Sequence, residues 1–117
     1  MKYMLLVYLD EKVLSDPERE QCYVESAQLT QDLNSKGQYL IASPLHSVAT
    51  ATSVRLREGR RLVTDGPFAE TREQLGGFYM VDVGDLDEAI RVAERIPVAR
   101  KGTIEIRPVQ EIPGLPD

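Results

Sequence analysis

Asp65 is the residue of this chain best placed by its neighbours to do chemistry. It stands in Thr64-Asp65-Gly66-Pro67-Phe68-Ala69-Glu70. A side-chain turn to the N–H two residues on is closed to it, because Pro67 has no N–H. The carboxylate must reach the Phe68 N–H, find another donor, or face open space. In the first two cases it caps a turn. In the third it is a general base, or an anchor for a cation or hydroxyl, at the mouth of a pocket. His46 is the single imidazole. A dyad with Asp65 would be the most productive pairing the chain could assemble, since imidazole titrates near neutrality. Glu70 and Glu73 would share a face if the segment after Pro67 were helical, and paired carboxylates suit acid–base work; the run reads first as a solvated loop. Phe68 reads as an anchor pinning the loop to the core, and second as a pocket wall. Arg55, Arg107 and Tyr79 are candidate polar walls, although ion pairing explains the two Arg equally well. The candidate set is therefore Asp65 and His46 for catalysis, with Phe68, Glu70, Arg55 and Tyr79 for ligand binding.

Other chemistries find little support. One Cys and one His among 117 residues give no metal-ligand set and no intramolecular disulfide, so neither metal nor cofactor is expected. Cys22 has no base or second thiol near it in sequence and reads as a small buried apolar residue. Gly76-Gly77 lacks phosphate-loop spacing and reads as a strand entry or bulge. A net charge of −5 argues against nucleic acid as a partner. Arg55, Arg57, Arg60 and Arg61 read as a solvated hairpin whose charge discourages edge pairing. No apolar run is long enough for a membrane span, and Met4–Leu9 is too short and weakly basic for a signal peptide, so the expected address is cytoplasmic.

Elements to position these residues can be read in order. Lys2–Leu9 is almost continuously apolar, as in a strand buried on both faces. Ser15-Asp16-Pro17-Glu18 is a capping box opening a helix. Its stripe of Cys22, Ser26, Leu29 and Leu33 ends at Gly37. Small residues on that stripe predict a helix lying close against what it covers. Gln38–Ala42 is a short strand stopped by Ser43-Pro44. Thr52–Arg57 and Arg60–Thr64 form a hairpin with one apolar face around Glu58-Gly59. Gly77–Val83 is a strand. Asp85 starts a second helix that Pro97 ends, and Gly102–Val109 is the last strand. Without the hairpin the order is βαββαβ: an α+β, ferredoxin-like sheet with both helices on one face. One domain is expected over 1–112, with a loose tail at 113–117. The first strand and Phe78–Val83 are apolar on both alternations, so the open face needs cover. A homodimer pairing two sheets face to face supplies it.

Asp65-Gly66-Pro67-Phe68-Ala69-Glu70-Thr71-Arg72-Glu73-Gln74-Leu75-Gly76-Gly77-Phe78-Tyr79 resembles the signature of the YCII-related, or DGPF-domain, family. Met1–Tyr8, Thr50–Arg55, Asp85–Ala89, Ile96-Pro97 and Glu105–Val109 are similar to the family in the same order. The resemblance implies a ferredoxin-like fold assembled as a dimeric α+β barrel, in a bacterial protein. It also implies a cleft near the sheet holding an Asp and, in some relatives, a His; it does not carry a catalytic role onto His46. The family has no settled activity. Beside a purely structural dimer, in which the motif serves folding alone, two functions follow. One is a small-molecule enzyme using Asp65 in a cleft formed by the hairpin, the Asp65–Leu75 loop and the partner subunit. The other is a non-catalytic ligand-binding or regulatory module associated with an extracytoplasmic-function sigma factor, since family members are often encoded beside one.

Overall fold

The computed structural model describes residues 1–116, so Asp117, the end of the expected tail, lies outside the described residues. In chain order the elements are β1 (Lys2–Leu9), α1 (Asp16–Ser35), β2 (Tyr39–Pro44), β3 (Thr52–Arg57), β4 (Arg60–Asp65), β5 (Gln74–Asp82), α2 (Leu86–Glu94) and β6 (Thr103–Pro108). Single 3-10 turns occupy Val48–Thr50 and Pro97–Arg100. Four strands form one sheet in the order β2-β5-β1-β6, and β3-β4 form a separate hairpin. Every pairing is antiparallel. With the hairpin set aside, this is the expected α+β, ferredoxin-like order.

α1 is specified at both ends. The Glu18 N–H donates to Ser15 Oγ at 3.2 Å and the Ser15 N–H to Glu18 Oε1 at 3.0 Å, a complete capping box. At the other end Gly37 takes φ +72°, and the Gly37 and Gln38 N–H groups close on the Asn34 and Leu33 carbonyls. That left-handed stop favours glycine. α2 starts on Asp85, whose carboxylate accepts from the Glu88 N–H at 2.9 Å.

Alternation along β1 sends Tyr3, Leu5, Val7 and Leu9 to the helix side. There Tyr3, Leu5 and Val7 meet Val81 and Val83 of the β5 segment, Leu29 and Leu33 of α1, and Ala89, Val92 and Ile96 of the α2 region. Met4, Leu6, Phe78 and Met80 point the other way and are only half-buried. The strand expected to be buried on both faces is therefore buried on one within a single chain.

Two boundaries differ from the sequence reading. β2 continues through Ser43-Pro44, expected to stop it, because β2 is an edge strand where a missing proline N–H costs no ladder bond. β5 begins at Gln74, so the glycine pair lies inside it. Val7 pairs Gly77 while Tyr8 pairs Leu75, which makes Gly76 the extra residue of a β-bulge.

The hairpin turns on Glu58 (φ 52°) and Gly59 (φ +74°), the positive pair of a tight I′ turn. Register places Thr52, Val54, Leu56, Arg61, Val63 and Asp65 on one side of it and Leu62 on the other, so the expected apolar face is present as a patch of Val54, Leu56 and Val63 bordered by Arg61. It is open to solvent, with Val54 and Leu56 62% and 69% exposed. The radius of gyration is 16.0 Å, against about 13 Å for a compact chain near this size, as an outstanding hairpin requires.

One edge of α1 carries a row of acids, Glu18, Glu25 and Asp32, each seven residues after the last. They pair with Lys101, Arg100 and Arg95 of the segment from α2 to β6; Arg100–Glu25 closes at 2.9 Å and Arg95–Asp32 at 2.8 Å. The Lys101 ammonium, helped by Ser15, pushes the Glu18 carboxyl down to about 2. A depressed acid adds stability above its unfolded value of 4.5 and loses it as pH falls toward its folded one. Carboxyl NMR is accordingly expected to follow Glu18 titrating near pH 2, with any loss of its contribution confined between about pH 4.5 and 2. Titration at an ordinary carboxylate pH would show that the Lys101 contact is not populated.

Candidate functional site

α1 faces the sheet with a size gradient. Leu29 and Leu33 fill the space under its C-terminal half, whereas Cys22 and Ser26 under the N-terminal half line a space whose sheet side is lined by Gly77 and Ala42. The sequence reading expected the small residues to bring the helix close. Instead the helix stays at the height that the two leucines set, and a cavity of about 710 Å³ remains beneath its first half. The space is held open from below as well. A Cβ on Gly77 would sit 3.1 Å from the Ser43 carbonyl oxygen and 3.3 Å from Pro44 Cα.

Most of the cavity wall is apolar, and the polar groups gather at two ends. At the floor is Tyr79, 6% exposed, with Ser26 beside its hydroxyl. Burial raises the Tyr79 phenol above its ordinary value, with the Ser26 contact opposing it. Burial likewise raises the Cys22 thiol, and the Glu25 carboxylate adds to it. Both groups therefore stay protonated near neutral pH. At the mouth are Glu11, Arg19, His46 and Ser47. Glu11 ties two loops together: Oε1 accepts from Ser47 Oγ at 2.8 Å and Oε2 from the Val48 N–H at 3.0 Å. Arg19 donates through Nη1 to Asp16 and through Nη2 to the Glu11 carbonyl, both at 3.2 Å. These bonds fix the mouth on the β1–α1 and β2–β3 connections, with exposed His46 next to Ser47.

Of the residues singled out from the sequence, His46 and Tyr79 line this cavity; Asp65, Phe68, Glu70 and Arg55 do not. Asp65 ends β4 opposite Thr52. Its carboxylate is exposed and makes no hydrogen bond or ion pair among the described residues, so it faces open space. Nor does any hydrogen bond join it to His46 among those residues. Phe68 is 76% exposed, which overturns its reading as a core anchor. The loop instead turns its ring outward, and the Arg55 guanidinium lies 5.3 Å from the ring centroid, a cation–π contact. Glu70 is exposed in a run of bends, so the helix that would have aligned it with Glu73 does not form. Among the described residues no group of three His, Cys, Asp or Glu could hold a metal ion, and no helix is long and apolar enough to cross a membrane. Arg19 and Ser26 were missed as site residues. The small residues on the α1 stripe were the available signal, and they were read as close packing.

The YCII-related domain matches residues 1–113. An uncharacterised protein of Rhizobium meliloti (strain 1021) is 38% identical over 118 residues, covering 93% of this chain and 92% of the relative. Among solved structures, 5-chloro-2-hydroxyhydroquinone dehydrochlorinase from Burkholderia phenoliruptrix AC1100, in complex with 2,5-dihydroxybenzoquinone, superposes with a TM-score of 0.59 over 94% of both chains. At 12% identity that likeness concerns the fold. Matched over nearly its whole length, the chain belongs to the YCII-related domain family.

Proposed function

We propose that the protein is a homodimeric small-molecule enzyme whose site is the cavity between α1 and the sheet. His46 at the mouth transfers the proton, and the second copy completes the site by laying its hairpin, with Asp65, against that mouth. The observation that carries this reading is the cavity itself. About 710 Å³ with apolar walls and a few convergent polar groups lies within the range of pockets for small organic ligands. The dimer is supported by two uncovered apolar surfaces, the half-buried sheet face and the hairpin face of Val54, Leu56 and Val63. A two-stranded hairpin is marginal without a packing partner. Asp65 shares that hairpin face with an unengaged carboxylate, so docking the hairpin delivers an acceptor to whatever it meets. The dehydrochlorinase of the same fold holds a small oxygenated ring, a ligand size that this cavity accommodates.

The test is complementation between copies. Small phenols and carboxylic acids are screened for turnover by NMR, and His46→Gln and Asp65→Asn are assayed on the substrate found. Each variant should lose about 10²- to 10⁴-fold in rate, the usual share of one acid–base group. Mixing equal amounts after dissociation should restore roughly a quarter of wild-type activity, because half of the dimers then hold one intact site. A single-chain mass in sedimentation, or a mixture as inactive as its components, would sink the shared site.

A further inference from the structure

Resting on the cavity as the site, we infer that its ligand is a small organic anion, a carboxylate or phenolate, and that Arg19 is the residue that holds the charge. The charged groups around the cavity are unequally free. Glu11 is the acceptor-only group at the mouth, and both of its oxygens are already taken, by the Ser47 hydroxyl and the Val48 N–H. The Ser26 and Tyr79 hydroxyls can donate or accept, and those of Thr30 and Ser43 already donate to the Ala27 and Pro44 carbonyls, so Arg19 is the lining group that can only donate. A negatively charged ligand group therefore meets an open cation at the rim and no open carboxylate.

Arg19 is the strongest of these donors. Two of the five guanidinium N–H groups are engaged, by Asp16 and the Glu11 carbonyl; the rest are open. The side chain is 35% exposed whereas its partner Asp16 is 98% exposed, so the counter-ion is the solvated member and screens weakly. The Glu11 carbonyl fixes the guanidinium at the rim, where its planar fork matches a carboxylate. An anion seated there projects an apolar body inward toward Val7 and Ile96, with a hydroxyl or carbonyl reaching the Ser26–Tyr79 pair at the floor.

The probes are 4-hydroxybenzoate and its neutral counterpart 4-hydroxybenzamide, titrated into the full chain at pH 7 by calorimetry. The benzoate should bind about tenfold or more tightly than the amide, as a charge-assisted contact implies. Arg19→Gln should abolish most of that difference by weakening the benzoate far more than the amide, while Arg19→Lys keeps part of it. Asp16→Asn removes the competing charge beside Nη1 and should tighten the benzoate by roughly two- to threefold, whereas a merely structural role for the Asp16–Arg19 pair would weaken it. The amide binding as well as the benzoate, or Asp16→Asn weakening the benzoate, would overturn the anion inference and leave the cavity reading standing. Neither probe binding would overturn both.

Discussion

Gly102→Ala is expected to cost about 3 kcal/mol or more, the largest effect of a single methyl in this chain. The added Cβ would fall inside contact distance of the Tyr8 carbonyl oxygen, with Val98 Cγ1 at 3.0 Å and Leu9 Cβ at 3.1 Å. Tyr8 sits in β1, paired on one side with β5 and on the other with β6. Its carbonyl cannot retreat without breaking a ladder. Gly84→Ala is the control, because its Cβ would meet only the movable Glu88 carboxylate, at 3.3 Å, and should cost under about 1 kcal/mol. Urea melts of the two variants decide the matter. Equal midpoints would show that β1 and β6 approach less closely at this point.

Leu33→Ala should cost about 2–5 kcal/mol. Leu33 is fully buried, and it and Leu29 are the buried residues of a 20-residue helix. Removing it takes away one of the two props that hold α1 off the cavity floor, so the loss should fall unevenly. Hydrogen exchange is expected to speed up along α1 more than along β1 or β5, and ligand affinity should fall together with stability. Val24→Ala, on the exposed side of the same helix at 52%, should change the urea midpoint little. A uniform rise in exchange across the molecule would mean that α1 does not open on its own.

Much of the scaffold was legible in the residues. Ser15, Gly37, Glu58-Gly59 and Asp85 each encode a local conformation through one side chain or its absence, and each stands where its chemistry requires. The bulge at Gly76 was open to the same kind of reading. The site was less legible because it is made of what is missing. A gap under α1 depends on the height set by Leu29 and Leu33, a tertiary quantity that spacing along one helix does not express. Phe68 was misjudged for a related reason. An aromatic after proline suggests burial, but the direction of the loop is set by the hairpin that precedes it, and that hairpin stands away from the core. Pro44 shows the converse error, since its meaning depends on whether β2 lies at an edge.

The acidic row on α1 has a consequence for how many ways this chain can fold. Each pair is solvent-exposed and adds little to stability, so depth is not what the row supplies. Slide α1 forward by one turn and Lys101, Arg100 and Arg95 would face Cys22, Leu29 and Lys36. Slide it back, and they would face Leu14, Gln21 and Gln28. Neither displacement offers a single anion, and the first sets two cations against each other. The three bases work as a vernier that accepts the helix in one longitudinal position. Leu29 and Leu33 hold the helix on the sheet, and this outer edge selects the same longitudinal position, the one that decides where along the sheet the space beneath α1 opens.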